Sequence, residues 1–345
     1  MNKFFKNIFI LITSFILLSA ILIISVLWTY SNDLPDYKFL KSYKPPVSSK
    51  VYSGNGDLVA DFSQEKRVFV PFNSIPKNVI NAFLSAEDKN FFKHPGVDAK
   101  GVIRAVINNI SNILSSKRLE GASTITQQVA KNFLLTNEVS LNRKIKEAIL
   151  AFRIERALSK ERILELYLNQ IYLGSGAYGV AAASLEYFDK SIKDLNYSEA
   201  ALLAALPKAP SRYNPYRDPD IAKFRRNLVL KNLLDNNYLT SEGYEKLTKE
   251  EIILKKNKKI YLEDAQYFIE DVRKSVIETL SYDKVYKQGF NINTPIDLNL
   301  QIIATKSLRD GLIAYDKRKG WRGPLTNKIY NCLLYTSPSP RDLRL

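Results

Sequence analysis

A mainly α-helical fold behind a single N-terminal membrane-spanning helix is what this sequence predicts, and three observations carry that expectation. Ile8 to Trp28 is an unbroken apolar run without a charged side chain, about as long as the ~20 residues needed to cross a bilayer. From Pro76 to about Pro210 apolar residues recur at three- and four-residue spacing, the period of packed helices. Outside that block only short stretches, Val51-Tyr52, Val68-Phe69-Val70 and Phe290 to Ile296, read as strands, so a small α+β region follows the helices.

The N-terminal run comes first. Lys3 and Lys6 precede it and Asp33 follows it. The positive-inside rule then puts residues 1–7 in the cytoplasm, 8–30 in the membrane and the remainder outside. A cleaved signal peptide would have an apolar core of roughly 7 to 15 residues ending in a small-x-small site; here Ser19-Ala20 lies mid-run, which favours an uncleaved anchor. The chain is 46% hydrophobic and 25% charged, the composition of a folded protein. Its net charge of +16 calls for an anionic partner. With the basic body outside the cytoplasm, that partner is a phospholipid surface or a pyrophosphate and not a nucleic acid.

The helical block carries three stretches with chemical potential. Val79, Ile80, Phe83 and Leu84 define an apolar helix face, and Glu87 falls on it, four residues after Phe83. The pattern leaves two readings open: a desolvated carboxylate with a raised proton affinity, or a solvated residue in the last turn. His94, the one histidine, stands against Pro95-Gly96 and reads as structural. In the second stretch, Gly121 to Asn132, small and hydroxyl residues precede a helix. The spacing fits an N-cap, with Gln127, Gln128 and Lys131 available to hydroxyls and phosphate. In the third, Arg143, Lys144 and Glu147 are spaced as ion pairs at the exposed end of a helix apolar nearly all round, which reads as a site more than as a solvated face. Ser159 caps a further helix, and Asn196 with Glu199 has capping-box spacing before another. A Lys/Asn-rich helical stretch from Arg225 to about Lys259 and a helix within Tyr261 to Leu280 complete the chain's helices.

Taken in order, these stretches resemble the family-51 glycosyltransferase domain of class A penicillin-binding proteins. Its Glu-Asp-x-x-Phe-x-x-His-x-Gly motif is matched by Glu87, Asp88, Phe91, His94 and Gly96. Its Gly-Gly-Ser-Thr-Ile-Thr-Gln-Gln motif is matched from Gly121 to Gln128, with Ala122 for the second glycine; its Arg-Lys-x-x-Glu motif is Arg143, Lys144 and Glu147. Ile163 to Gly174 and Glu199 to Pro210 match the fourth and fifth motifs, and Gly311 to Pro324 resembles the linker of the 1A type.

The resemblance implies a lysozyme-like domain over 45–220, a linker region over 221–300 and the start of an inserted, OB-like region over 301–330. It implies an inverting enzyme of the bacterial inner membrane, with its catalytic domain in the periplasm, that polymerises lipid II into β-1,4 glycan and releases undecaprenyl diphosphate. Glu87 would be the base that deprotonates the acceptor 4-hydroxyl. Glu147, with Lys144 and Lys131, would hold the pyrophosphate, with room for a divalent cation (magnesium or manganese) and no organic cofactor. Asp88, Ser123, Thr124, Gln127, Gln128 and Arg143 would complete the substrate-binding set. The partners implied are lipid II, the growing glycan, the membrane and cell-wall synthesis proteins. The run Val102 to Leu114 would dip into the lipid headgroups.

Some features depart from the family. Val139 stands where many members carry arginine. The Lys-Thr-Gly motif of the companion transpeptidase is absent, and Ser74-x-x-Lys77 and Ser281-x-x-Lys284 match its Ser-x-x-Lys spacing at the wrong places. Cys332 to Asp342 resembles the translation of a transposase-type sequencing adapter, so 331–345 reads as foreign to the natural protein. Two other functions compete: a glycan hydrolase using paired carboxylates, and a non-catalytic scaffold that binds lipid II.

Overall fold

The structure is a computed structural model that describes residues 7, 10–14, 17–18, 21, 25, 28–31, 34–43, 48–62, 66–114, 121, 123–136, 138, 140–255 and 263–320. The adapter-like tail, Val139, Ala122 and much of the expected membrane span lie outside them. Those described of the span, among them 10–14 and 28–31, are helical, and its described leucines, isoleucines and tryptophan are exposed. Among the described residues no helix is long and apolar enough to cross a membrane.

The expectation of a mainly helical body holds. Among the described residues from 77 to 235, eight α-helices follow one another: α1 (Lys77–Glu87), α2 (Ala99–Leu114), α3 (Ile125–Leu134), α4 (Leu141–Ala157), α5 (Lys160–Gln170), α6 (Val180–Phe188), α7 (Tyr197–Ala205) and α8 (Pro219–Asp235). Their starts are chemically marked. Ser140 and Ser159 each accept a backbone N–H in the first turn of α4 and α5. Thr124 with Gln127, and Asn196 with Glu199, form reciprocal capping boxes on α3 and α7. Asp218 caps α8, which has Pro219 at its first position. Ala200 to Leu206 are all buried, so α7 is the central helix around which the others pack; a helix apolar on every side has no solvent face to offer. The core is continuous from Val79 and Phe83 of α1 to Leu230 and Leu233 of α8.

The Lys/Asn-rich helical stretch comprises most of α8 and α9 (Ser241–Lys249), after which residues 251–255 lie in neither helix nor strand. The break follows Asn237, at φ 61°, with Thr240 capping the new helix.

A second, smaller core lies in an α+β unit. Strands β1 (Ser49–Tyr52) and β2 (Leu58–Phe62) form an antiparallel hairpin, and β5 (Asn291–Asn293) adds parallel to β1, giving the order β2-β1-β5. Val51, Ala60 and Phe62 pack with Val285 against α10 (Gln266–Leu280) and α11 (Tyr282–Lys287). The remaining strands, β3 (Lys66–Arg67) and β4 (Ala177–Tyr178), form a two-residue parallel pair. Helix α12 (Leu298–Arg318) closes the described chain.

The expected strand at Val68 to Val70 does not form. Its place in a sheet is taken by a side chain: Asn169 accepts from the Val70 N–H at 2.8 Å and donates to the Val70 carbonyl at 2.9 Å. An amide has the donor and acceptor of a peptide group, so Asn169 satisfies the backbone as a neighbouring strand would.

Candidate active site

Glu87 closes α1 on the face that Val79 and Phe83 bury. The residue is half-buried and its carboxyl is largely stripped of water. Burial pushes its pKa up; the hydrogen bond from Gln128 and the charges of Arg225 and Lys208 pull the other way, and Asp88 adds to the rise. Gln128 Nε2 donates to Glu87 Oε2 at 2.7 Å. The two readings left open by the sequence are thereby decided: Glu87 is a desolvated carboxylate, not a solvated end-of-helix residue.

A bracket of buried polar groups brings Gln128 to Glu87. Asp88 is buried; its carboxylate lies 3.0 Å from His94 Nε2 and accepts the N–H of Ile125, the first residue of α3, at 3.1 Å. A carboxylate at a helix N-terminus answers both the free N–H groups and the helix dipole. His94 Nδ1 accepts the Gly96 N–H at 3.2 Å, which leaves Nε2 as the donor to Asp88. The Thr124 hydroxyl donates to the Gly96 carbonyl at 2.5 Å. Gly96, at φ 106°, lies so close to α4 that a Cβ there would come within 2.8 Å of the Ala151 backbone. His94 is therefore structural, as its sequence setting suggests.

The third stretch forms a second cluster. Glu147 is 1% exposed and accepts from Arg143 through one oxygen and from Lys144 at 2.6 Å through the other. Lys144 also donates to the Ser123 hydroxyl at 2.9 Å, so α4 and the start of α3 meet at this lysine. Burial, Arg143 and Lys131 together lower the Lys144 pKa. One carboxylate thus pairs with two cations, and Lys131 adds a third positive charge felt at Lys144, so the cluster retains net positive charge.

The predicted residues fall into three groups. Glu87 and Gln128 form one corner; Ser123, Lys131, Arg143, Lys144 and Glu147 form the cationic cluster. Asp88, Thr124 and Gln127 are buried and joined to the protein's own groups in the bracket between them. Sequence reasoning did not single out Arg225, Lys208 or Tyr167. Arg225 lies over the Tyr213 ring at 5.5 Å and acts on Glu87 from α8, 138 positions away in the chain, beyond the reach of any local pattern. Tyr167 is buried, and among the described residues its hydroxyl has no hydrogen-bond partner; burial, helped by the charges of Glu87 and Asp88, raises its pKa well above the usual value. Among the described residues no three His, Cys, Asp or Glu side chains gather as metal ligands.

The model of the family described as "Transglycosylase" matches residues 55–234, which include both clusters and the bracket. The chain belongs to the transglycosylase family. It is 50% identical over 303 residues to Penicillin-binding protein 1A of Rickettsia felis, covering 88% of this chain and 38% of that one. It is 48% identical over 291 residues to Penicillin-binding protein 1A of Aquifex aeolicus, covering 84% of this chain and 39% of that one. The crystal structure of Penicillin-Binding Protein 1A from Haemophilus influenzae is similar at TM-score 0.51 and 28% identity, covering 84% of this chain and 33% of that one. This transglycosylase thus spans about two fifths of the length of the curated relatives it matches.

Proposed function

We propose that this chain is the peptidoglycan glycosyltransferase part of a bifunctional cell-wall synthase, polymerising lipid II into β-1,4 glycan with release of undecaprenyl diphosphate. The observation that carries the reading is the pairing of a desolvated glutamate with a separate cationic cluster. Inverting transfer from a diphosphate needs a base for the acceptor hydroxyl and positive charge for the leaving group.

In this reading Glu87 takes the proton of the acceptor 4-hydroxyl as that oxygen attacks the anomeric carbon. Gln128 holds the carboxylate in place. The bond to the pyrophosphate breaks on the opposite side, and its negative charge is received by Lys144, Lys131 and Arg143, with Glu147 fixing the first and last of these. Asp88, Thr124 and Gln127 act as positioning residues, because their polar atoms are already engaged within the protein. Both Glu147 oxygens are held by Arg143 and Lys144, so the residues as arranged offer a divalent cation no free carboxylate, and the lysines supply the charge such an ion would bring. A hydrolase would have no pyrophosphate to receive, which makes the cationic cluster the argument for synthesis over cleavage.

The same reading places the protein in the bacterial inner membrane, with its N-terminus in the cytoplasm and the catalytic body in the periplasm. Helix α2 supports it: Ile103, Val106, Ile107 and Ile110 are each more than half exposed at helical spacing, a stripe suited to the headgroup boundary. The deciding experiment is polymerisation of purified lipid II by the intact chain, with Glu87→Gln as the control. No glycan from the intact chain would remove the enzyme reading in favour of a lipid II-binding scaffold; soluble muropeptides from finished glycan would favour a hydrolase.

A further inference from the structure

The chain leaving the N-terminal apolar run is fastened to the catalytic body at several points. The Tyr30 hydroxyl donates to Asn142 Oδ1 at 2.7 Å. The Arg153 guanidinium donates to the Ser31 hydroxyl and, at 3.4 Å, to the Ser31 carbonyl. Asn142 and Arg153 lie about three turns apart on α4, hence on one face of it. Farther along, Leu34 and Tyr37 pack on the main core and Leu40 is wholly buried in it. Arg162 of α5 donates to the Leu40 and Tyr43 carbonyls at 3.1 and 2.7 Å. A tether would be unattached and rich in glycine and serine. Here attachments recur from Tyr30 to Tyr43.

The helix so fastened is the one that carries Arg143, Lys144 and Glu147. We propose that the end of the N-terminal helix is a strut, in which Tyr30–Asn142 and Ser31–Arg153 hold α4, and with it the cationic cluster, at a set height above the membrane. The inference rests on the membrane-anchored lipid II reading. A pyrophosphate linked to a bilayer lipid sits at headgroup depth, and a displacement of the cluster by one helical turn, about 5.4 Å, exceeds the reach of a hydrogen bond. Tyr30, Ser31, Asn142 and Arg153 are therefore positioning residues, touching α4 and not the substrate.

The test uses the full chain in phospholipid vesicles, with Tyr30→Phe/Ser31→Ala and with a six-residue Gly/Ser insertion after Ser31 added to that pair. Activity is read on full-length lipid II in the vesicles and on a short-chain, water-soluble analogue, with thermal unfolding as a check on folding. The expected result is a KM for vesicle lipid II raised about tenfold, the equivalent of one to two hydrogen bonds, with unchanged kcat/KM on the soluble analogue. Asn142→Ala should reproduce Tyr30→Phe and add nothing to it, since both remove the same bond. Equal losses on both substrates would reduce the contacts to ordinary fold support, and undiminished vesicle activity of the insertion variant would make the anchor a mere tether; either overturns the strut. No polymerisation of lipid II by the unsubstituted chain in the same vesicles would instead overturn the lipid II reading, so the two failures are distinguishable.

Discussion

Glu87 and Glu147 are the same residue type in one protein, yet their surroundings are opposites. Glu147 is the more deeply enclosed, and each of its oxygens meets a cation directly. Glu87 is partly open, has one amide donor, and feels Arg225 and Lys208 only through space. A buried carboxylate with direct partners is an anchor for cations; a desolvated one without them keeps its affinity for a proton. The difference lies in what surrounds each glutamate and not in how deep it sits.

The sharpest way to break this comparison is Glu87→Gln. It should lower polymerisation by about 10³-fold, within the range for loss of a general base, measured on purified lipid II. Lys144→Ala comes next. Removing one of three cations should cost about 10- to 100-fold in activity with little change in melting temperature, because this lysine is half-exposed. Glu147→Ala should instead act on folding. It leaves Arg143, only 11% exposed, without its carboxylate, a loss of about 3 kcal/mol in denaturant unfolding.

Two smaller effects concern proton affinity. Because the folded-state pKa of Glu87 is raised, the folded state binds this proton more tightly than the unfolded chain does. Its contribution to stability is therefore full below the ordinary carboxylate value of 4.5 and is lost as pH rises through the raised value. Glu87→Gln should accordingly raise the melting temperature at neutral pH, and the gain should shrink as pH falls through the raised value and level off below 4.5; no gain at neutral pH would contradict the desolvated carboxylate. Arg225→Gln removes a cation that opposes the rise. The acidic limb of its pH–rate profile should move to higher pH, with Arg225→Lys restoring most of the shift.

Much of this arrangement was legible in the chain because its carriers are local. Capping at Thr124, Ser159 and Asn196 depends on neighbours three residues away, and the helix period placed Glu87 on a buried face. The first three motifs marked both clusters in order. What was not legible depends on distant approach. Asn169 replaces a strand at Val70 across 99 positions. Arg225 acts on Glu87 through space from α8, and Tyr167 feels the Glu87 charge from a helix whose spacing reads only as architectural. Nor could the motifs distinguish residues locked into the protein's own network from those beside Glu87: Asp88 and Gln128 both stand in motifs, yet one is buried within the bracket and the other donates to Glu87.

The parallel pairing of β1 with β5 has a consequence for how the protein is made. Lys50 and Asn291 are register partners, so the hairpin from Ser49 to Phe62 leaves the ribosome long before the strand that completes its sheet. Between them lies the whole helical body, whose local contacts form fast, whereas a closure over some 240 positions is slow. The open edge of β1 must wait unpaired while the domain between the two strands assembles, exposed to any other extended chain emerging beside it. Synthesis of this transglycosylase therefore includes an interval in which its helical body is folded and its small sheet is still waiting for its third strand.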